Sequence, residues 1–179
     1  MRNLARTSQF RSWFAGSKIV DAEGSPLVVF HGTKSSFEEF RSKNKNPDIG
    51  FHFGDISQAE NCAGFNAHGL TCVGGNIVPV YLRITNPLYV RDVFGGKQNN
   101  IEAFACHVYA KGVVDEATRD RAVYADTIGN GWRTLIKALK KRGYDGLIYR
   151  NEYEGDRKGE NLGYVVFDSG QIKSVFDGT

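Results

Sequence analysis

The sequence has little cysteine and no apolar segment long enough to cross a membrane. Its 3 cysteines, Cys62, Cys72 and Cys106, are an odd number without a Cys-x-x-Cys pair, which argues against a disulfide framework. No apolar run approaches the roughly 20 residues that span a bilayer, and no apolar segment follows the charged N-terminal residues as in a secretory leader. We therefore expect a soluble protein that acts in the cytoplasm of the cell that makes or receives it.

An excess of charge of one sign is absent as well. Lys and Arg number 23 against 20 Asp and Glu, for a formal net charge of +3. This balance is too mild to indicate a nucleic-acid-binding protein, although it suits a small anionic ligand. The sequence also lacks internal repeats and low-complexity tracts. With 179 residues, 41% of them hydrophobic, it predicts one core and therefore a single domain over residues 1–179.

The most informative stretch that is present is an apolar run, residues 27–30, followed by His31, Gly32 and Thr33. Its β-branched and aromatic residues predict a buried strand that places His31 at its end. Ligands often bind at such ends, and Gly32 has no Cβ to keep a ligand from the main chain. Alternatively, His31 is a core histidine satisfied by one hydrogen bond.

The rest of the chain predicts short strands interleaved irregularly with helices. Helices are expected over an N-terminal segment within residues 1–16, from near residue 56 to 63, from 99 to 108, from 115 to 124 and from 132 to 142. Strands are expected at residues 51–53, 77–84, 145–149, 164–167 and 171–175, and residues 18–20 form a hairpin or lead-in to the main strand. Pro79 predicts that its strand lies at or near a sheet edge. The pattern is that of an α+β domain with two small packed sheets.

Two further sequence patterns each allow more than one functional interpretation. Residues 41–48 are polar and basic, so they form either a solvated connection or a lid whose Arg41, Lys43 and Lys45 approach a pyrophosphate. His52, Cys62, His68 and Cys72 are all types that bind zinc. Only His68 and Cys72 have the short spacing of structural zinc sites, so no metal is expected.

Several motifs, taken in chain order, resemble the ADP-ribosyltransferase domains related to poly-ADP-ribose polymerases. They are the strand ending in His31-Gly32-Thr33, the segment 50–55 with its following helix, and residues 164–168 with Gln171 behind them. Residues 13–14, 26–33, 50–53, 86–88, 143–146, 151–155 and 171–174 are more similar still to the ADP-ribosyltransferase domains in polyvalent proteins of phages and mobile elements. This resemblance runs from about Phe10 to Val175 and implies a split β-sandwich of two small sheets with flanking helices.

The resemblance also implies a cleft that binds NAD, the ADP-ribose donor, and releases nicotinamide. His31 matches the histidine that hydrogen-bonds the adenosine-side ribose, and Gly32 matches the residue whose main chain holds the nicotinamide amide. His52 falls where the polymerases carry a tyrosine that stacks on nicotinamide, a role that an imidazole face can also fill. Residues 34–49 match the donor loop. The expected NAD-binding set is His31, Gly32, Thr33, Arg41, His52 and Phe53.

Gly163 departs from the polymerases, which carry their catalytic glutamate there. A carboxylate near the ribose stabilises the oxocarbenium-like charge that forms when nicotinamide leaves. Glu152 and Glu154, on the preceding acidic loop, are the expected replacements and join His31 and His52 in the catalytic set. Alternatively, they are solvated surface acids.

Two functions follow from the resemblance. The first is a mono-ADP-ribosyltransferase that modifies a macromolecule. A host or bacterial protein is the favoured acceptor over a nucleic acid, and no membrane partner is expected. The second is a catalytically degenerate module that binds NAD or a partner protein. Gly163 favours the second function, whereas His31, Gly32 and the acidic loop favour the first.

Overall fold

The computed structural model describes residues 5, 7–41, 48–66, 69–70, 75–94, 100–126, 130–152 and 161–176. Its helices are α1 (Ser8–Phe14), α2 (Ile56–Ala63), α3 (Ile101–Ala110), α4 (Glu116–Asp126), α5 (Gly131–Lys141) and a 3₁₀ turn at Ser169–Gln171. Its strands are β1 (Val29–Thr33), β2 (Phe51–Phe53), β3 (Phe65–Asn66), β4 (Gly69–Leu70), β5 (Asn76–Leu82), β6 (Pro87–Val90), β7 (Gly146–Arg150), β8 (Leu162–Val166) and β9 (Ile172–Ser174). Within these ranges, no helix is both long and apolar enough to span a bilayer.

The strands form two small sheets and one short two-stranded pair. One sheet has three strands in the order β1-β5-β9, and the other has four in the order β2-β8-β7-β6. Strands β3 and β4 form the pair. Only β6 and β7 run parallel among the pairings of the described residues. The predicted α+β class with two small sheets and flanking helices is confirmed.

The four-stranded sheet carries an apolar core on each face. On one face Leu147 and Val165 pack with Phe104, Trp132 and Leu135 of the helices α3 and α5. On the other face the residues come from both sheets and include Val29, Phe53, Val80, Leu82, Ile148 and Val166. The four-stranded sheet is therefore the middle layer, between helices and the three-stranded sheet.

Local signals placed most helices correctly. The Thr7 side chain accepts a hydrogen bond from the Phe10 N–H at the start of α1, and the Asp55 side chain does the same for the Gln58 N–H at the start of α2. In α5, Trp132, Leu135 and Leu139 recur at helical spacing, and all three are buried. Caps and periodicity were sufficient here because both act within one or two helical turns.

The predicted edge position of Pro79 is wrong, because β5 is the central strand of its sheet. Pro79 faces Phe30 of β1, whose own N–H and C=O bond to Gly54 instead, so the missing proline N–H is not needed on that side. On its other side β9 ends at Ser174, and only the Val175 N–H continues to the Pro79 carbonyl, at 3.3 Å. The proline therefore lies where the central strand extends beyond its neighbour.

Gln171 joins the two sheets through four side-chain hydrogen bonds. Its Nε2 donates to the carbonyl oxygens of Arg83, at 2.9 Å, and Asp145, at 2.7 Å. Its Oε1 accepts from the N–H groups of Phe167 and Asp168, at 3.1 and 3.0 Å. These partners lie at the ends of β5, β7 and β8. This motif residue is therefore structural and holds the two sheets in a fixed relation.

Candidate functional site

The His31 side chain is held at the junction of the two sheets. Its Nδ1 lies 2.8 Å from the main-chain oxygen of His52. A carbonyl oxygen only accepts, so Nδ1 carries the hydrogen, and Nε2 of the neutral ring is an acceptor. The ring packs against Phe37, Phe40 and Phe53, with centroid distances of 5.8, 5.2 and 5.6 Å. The predicted strand-end position of His31 is wrong, because β1 continues through Gly32 and Thr33, which pair with Ile77 and Asn76, and His31 is the central residue of the strand. The His31 tautomer is defined by a main-chain contact.

The same junction directs main-chain groups of Gly32 toward the outer edge of β1. Phe30 and Gly54 exchange two hydrogen bonds, N–H to C=O, of 2.9 and 3.0 Å, so the polar groups of Phe30 point away from β5. Alternate residues of an antiparallel strand point their main-chain groups the same way. The N–H and C=O groups of Gly32 therefore also point away from β5, at a position beyond the Phe30–Gly54 bridge.

Three glycines lie on one face of this junction. Phe30 pairs with Gly54, and Phe53 pairs with Tyr164, so the register puts Gly32, Gly54 and Gly163 on a common face, which we call the glycine face. A Cβ at Gly32 would overlap the main-chain carbonyl of Ala59 in α2. The expectation that a ligand uses the space beside the Gly32 Cα is therefore corrected, because α2 already fills it.

His52 projects from the glycine face, away from the His31 ring. Neighbours in a strand point to opposite faces, and Phe53 faces His31 whereas His52 meets Phe94 at a centroid distance of 5.3 Å. The His52 Nε2 lies 3.5 Å from Asp48 Oδ1, yet this buried atom makes no hydrogen bond within the described chain. The two imidazoles thus lie on opposite sides of β2 and are linked through the His52 main chain. Whether His52 contacts nicotinamide stays a prediction.

The position of the expected glutamate is covered by an aromatic ring. Gly163 pairs with Tyr149 of β7, and a Cβ at Gly163 would overlap the Tyr149 ring, with the hydroxyl oxygen at 2.7 Å. Tyr149 is buried and its ring meets the edge of Phe94 at a centroid distance of 5.0 Å. A larger residue at 163 would therefore require the tyrosine to move.

The proposed replacement acids follow directly after this pair. Glu152 is exposed, and its N–H donates to Asp92 Oδ2 at 3.0 Å. It comes three residues after Tyr149, where the chain leaves the sheet beside Gly163. Glu154 lies outside the described residues. The catalytic roles of both acids remain predictions.

The remaining predicted NAD-binding residues have local partners. Thr33 Oγ1 donates to the Ser35 carbonyl at 3.2 Å and so shapes the turn after β1. Arg41 forms a surface ion pair with Glu39 at 2.8 Å, in which the arginine side chain is 81% exposed. Such exposed pairs contribute little free energy, so a ligand phosphate could replace the carboxylate. Lys43 and Lys45 lie outside the described residues.

Residue-level patterns missed one polar side chain at the site, Gln58 of α2. Its Oε1 occupies the Cβ direction of Gly54, and it is only 4% exposed. Nothing in the sequence separates Gln58 from an ordinary surface residue of a helix. No cluster of three metal-binding side chains occurs among the described residues; His68 and Cys72 of the zinc alternative are outside them.

Comparisons with known proteins identify the family. The family profile described as ADP-ribosyltransferase in polyvalent proteins matches residues 21–179. No curated protein matches. A solved structure described as the crystal structure of an anti-CRISPR protein is 14% identical, covers 83% of this chain and 94% of its own, and has a TM-score of 0.36. Because the profile spans most of the sequence, the chain belongs to the family of ADP-ribosyltransferase domains found in polyvalent proteins.

Proposed function

We propose that this domain transfers single ADP-ribose units from NAD to a macromolecular acceptor, with release of nicotinamide. The acceptor that we favour is a host or bacterial protein. ADP-ribosyltransferases in general use NAD as the donor, and family membership supports the same donor for this chain. A single unit per acceptor site is expected because the glutamate that polymerising relatives use is Gly163 here.

The observation that carries the proposal is the geometry of His31 and Gly32 at the outer edge of β1. The ring of His31 is fixed by the His52 carbonyl, so its Nε2 is oriented to accept a hydrogen bond from a ribose hydroxyl. The adjoining Gly32 points its N–H and C=O past the same edge, where an amide group can use both. Histidine and main chain together would hold the two ends of one dinucleotide.

Replacing His31 with alanine tests the proposal. We expect about a three- to tenfold loss of NAD affinity in calorimetry, since one lost hydrogen bond is worth about 0.5–1.5 kcal/mol, and reduced label transfer from NAD to a host lysate. His107→Ala on α3 is the matched control and should leave NAD affinity unchanged. A folded His31→Ala protein that binds NAD as tightly as the parent would remove His31 from the site.

The covered Gly163 favours a second candidate, an NAD-binding module without catalysis. No carboxylate can occupy that position while Tyr149 lies over it. The two functions separate in one experiment. NAD binding without release of nicotinamide, with any host lysate, would support the binding module, and release of nicotinamide would support the transferase.

A further inference from the structure

Two side chains on the glycine face, His52 and Gln58, each have a buried nitrogen atom without a hydrogen bond in the described part of the chain. The atom is Nε2 in each side chain. Buried donors and acceptors are nearly always satisfied in folded proteins, because an unmade hydrogen bond costs free energy. The two nitrogen atoms therefore retain hydrogen-bonding capacity that a ligand could use.

The side chains of Gln58 and Tyr149 occupy neighbouring positions that glycines leave open. Gln58 Oε1 lies in the Cβ direction of Gly54, and the Tyr149 ring lies in that of Gly163. Continuing the register from the Phe53–Tyr164 pair places these two glycines opposite each other. His52 is on the same face, two residues before Gly54, which corresponds to about 7 Å along the strand. An amide, a phenol and an imidazole therefore line one end of the glycine face.

We propose that Gln58 and Tyr149, together with His52, bind the nicotinamide-riboside half of NAD where related enzymes use a carboxylate. This inference rests on the proposed function. The Gln58 carboxamide offers one donor and one acceptor, which match the carboxamide of nicotinamide, and a phenol hydroxyl can bond a ribose hydroxyl. None of the three groups is a carboxylate, so any stabilisation of a positive charge on the ribose by an acid falls to Glu152 or Glu154.

Isosteric substitutions separate a ligand role from a structural one. In Gln58→Met the unpartnered donor is removed without a cavity, so the protein without ligand should melt a few degrees higher. NAD affinity should fall about tenfold in the same variant. Tyr149→Phe removes only the hydroxyl and should weaken NAD binding by about three- to tenfold. Gln9→Met, on the exposed side of α1, and Tyr89→Phe, whose side chain is 63% exposed, are the matched controls.

Calorimetry with NAD and thermal unfolding without ligand give distinct outcomes. Weaker binding in both site variants, with unchanged controls, supports the inference. If the parent binds NAD and both site variants bind it equally tightly, the inference is overturned while the proposed function stands. A Gln58→Met protein that melts lower than the parent would show that Gln58 is a structural residue. A parent that gives no NAD signal would overturn the proposed function and this inference with it.

Discussion

Individual glycines determine what can lie at the junction of the two sheets. Each of Gly32, Gly54 and Gly163 admits a different neighbour into the space of its missing side chain: a helix main chain, an amide and an aromatic ring. Glycine is required at these three positions because a Cβ at any of them would overlap an atom of the neighbouring segment. The chemistry of the site thus depends on residues that the glycines admit.

The acid that supports catalysis can be identified by single substitutions. Glu152→Gln or Glu154→Gln is expected to slow ADP-ribose transfer by about 100-fold or more, the usual cost of losing one electrostatic stabiliser of a transition state. Transfer of label from NAD is the measurement. Glu23→Gln, at an exposed turn, should leave the rate unchanged. Unchanged turnover in both loop variants would show that neither acid replaces the missing glutamate.

At the scale of single residues, the sequence placed His31 on a strand, but it predicted neither the position of His31 within that strand nor its surroundings. The strand followed from the apolar run before His31, which is a local feature. Gly32 was taken as the end of the strand, although it pairs with Ile77 of β5. Tyr149 and Gln58 could not be recognised, because their relation to Gly163 and Gly54 depends on strand register and on how α2 packs. The space beside Gly32 was wrongly assigned to a ligand, because the packing of α2 against β1 cannot be recognised from the sequence.

Secondary-structure elements were predicted best where their signals are short-range. The helices α1 and α2 begin at side-chain caps, and the turn at residues 21–24 is closed by Asp21 and Gly24, all readable from a few neighbouring residues. The predicted edge position of Pro79 was wrong because a proline is tolerated in a central strand where the neighbouring strand ends, and this depends on how far β9 extends along β5. The packing of α2 on β1 is likewise a relation between elements.

The contact between α2 and β1 can be tested at Gly32. Gly32→Ala would place a methyl group against the Ala59 carbonyl, so α2 must shift and the free energy of unfolding should fall by about 1–3 kcal/mol. Gly170→Ala is the matched control, since its Cβ would meet nothing within 4 Å. Urea unfolding of both variants measures the difference. Equal stability of the two would contradict the close packing of α2 on β1.

In the whole molecule, one glutamine side chain and one aspartate carboxylate connect segments that are far apart in sequence. Gln171 bonds to the ends of three strands, and Asp145 accepts from the Thr85 and Asn86 N–H groups at 2.7 and 2.8 Å. Both belong to segments through which the sequence resembles its family. Their importance to the fold was visible only in three dimensions, because each joins elements of different sheets or layers.

Removing the Gln171 side chain should loosen the relation between the sheets. Gln171→Ala loses four hydrogen bonds, so the free energy of unfolding is expected to fall by about 2–4 kcal/mol. In urea the transition midpoint should decrease with little change of slope. Gln9→Ala, exposed on α1, is the control and should stay within about 0.5 kcal/mol of the parent. A midpoint equal to that of the parent would show that the sheets are held together without Gln171.

The bridge between Phe30 and Gly54 gives the molecule two natural reporters. Their amide hydrogens bond only to each other's carbonyl oxygens across the seam between the sheets, at 2.9 and 3.0 Å. Hydrogen–deuterium exchange at these two amides therefore measures how often the seam separates. A dinucleotide clamped across the seam would slow both rates together, so occupancy could be followed without a label, an acceptor or any turnover.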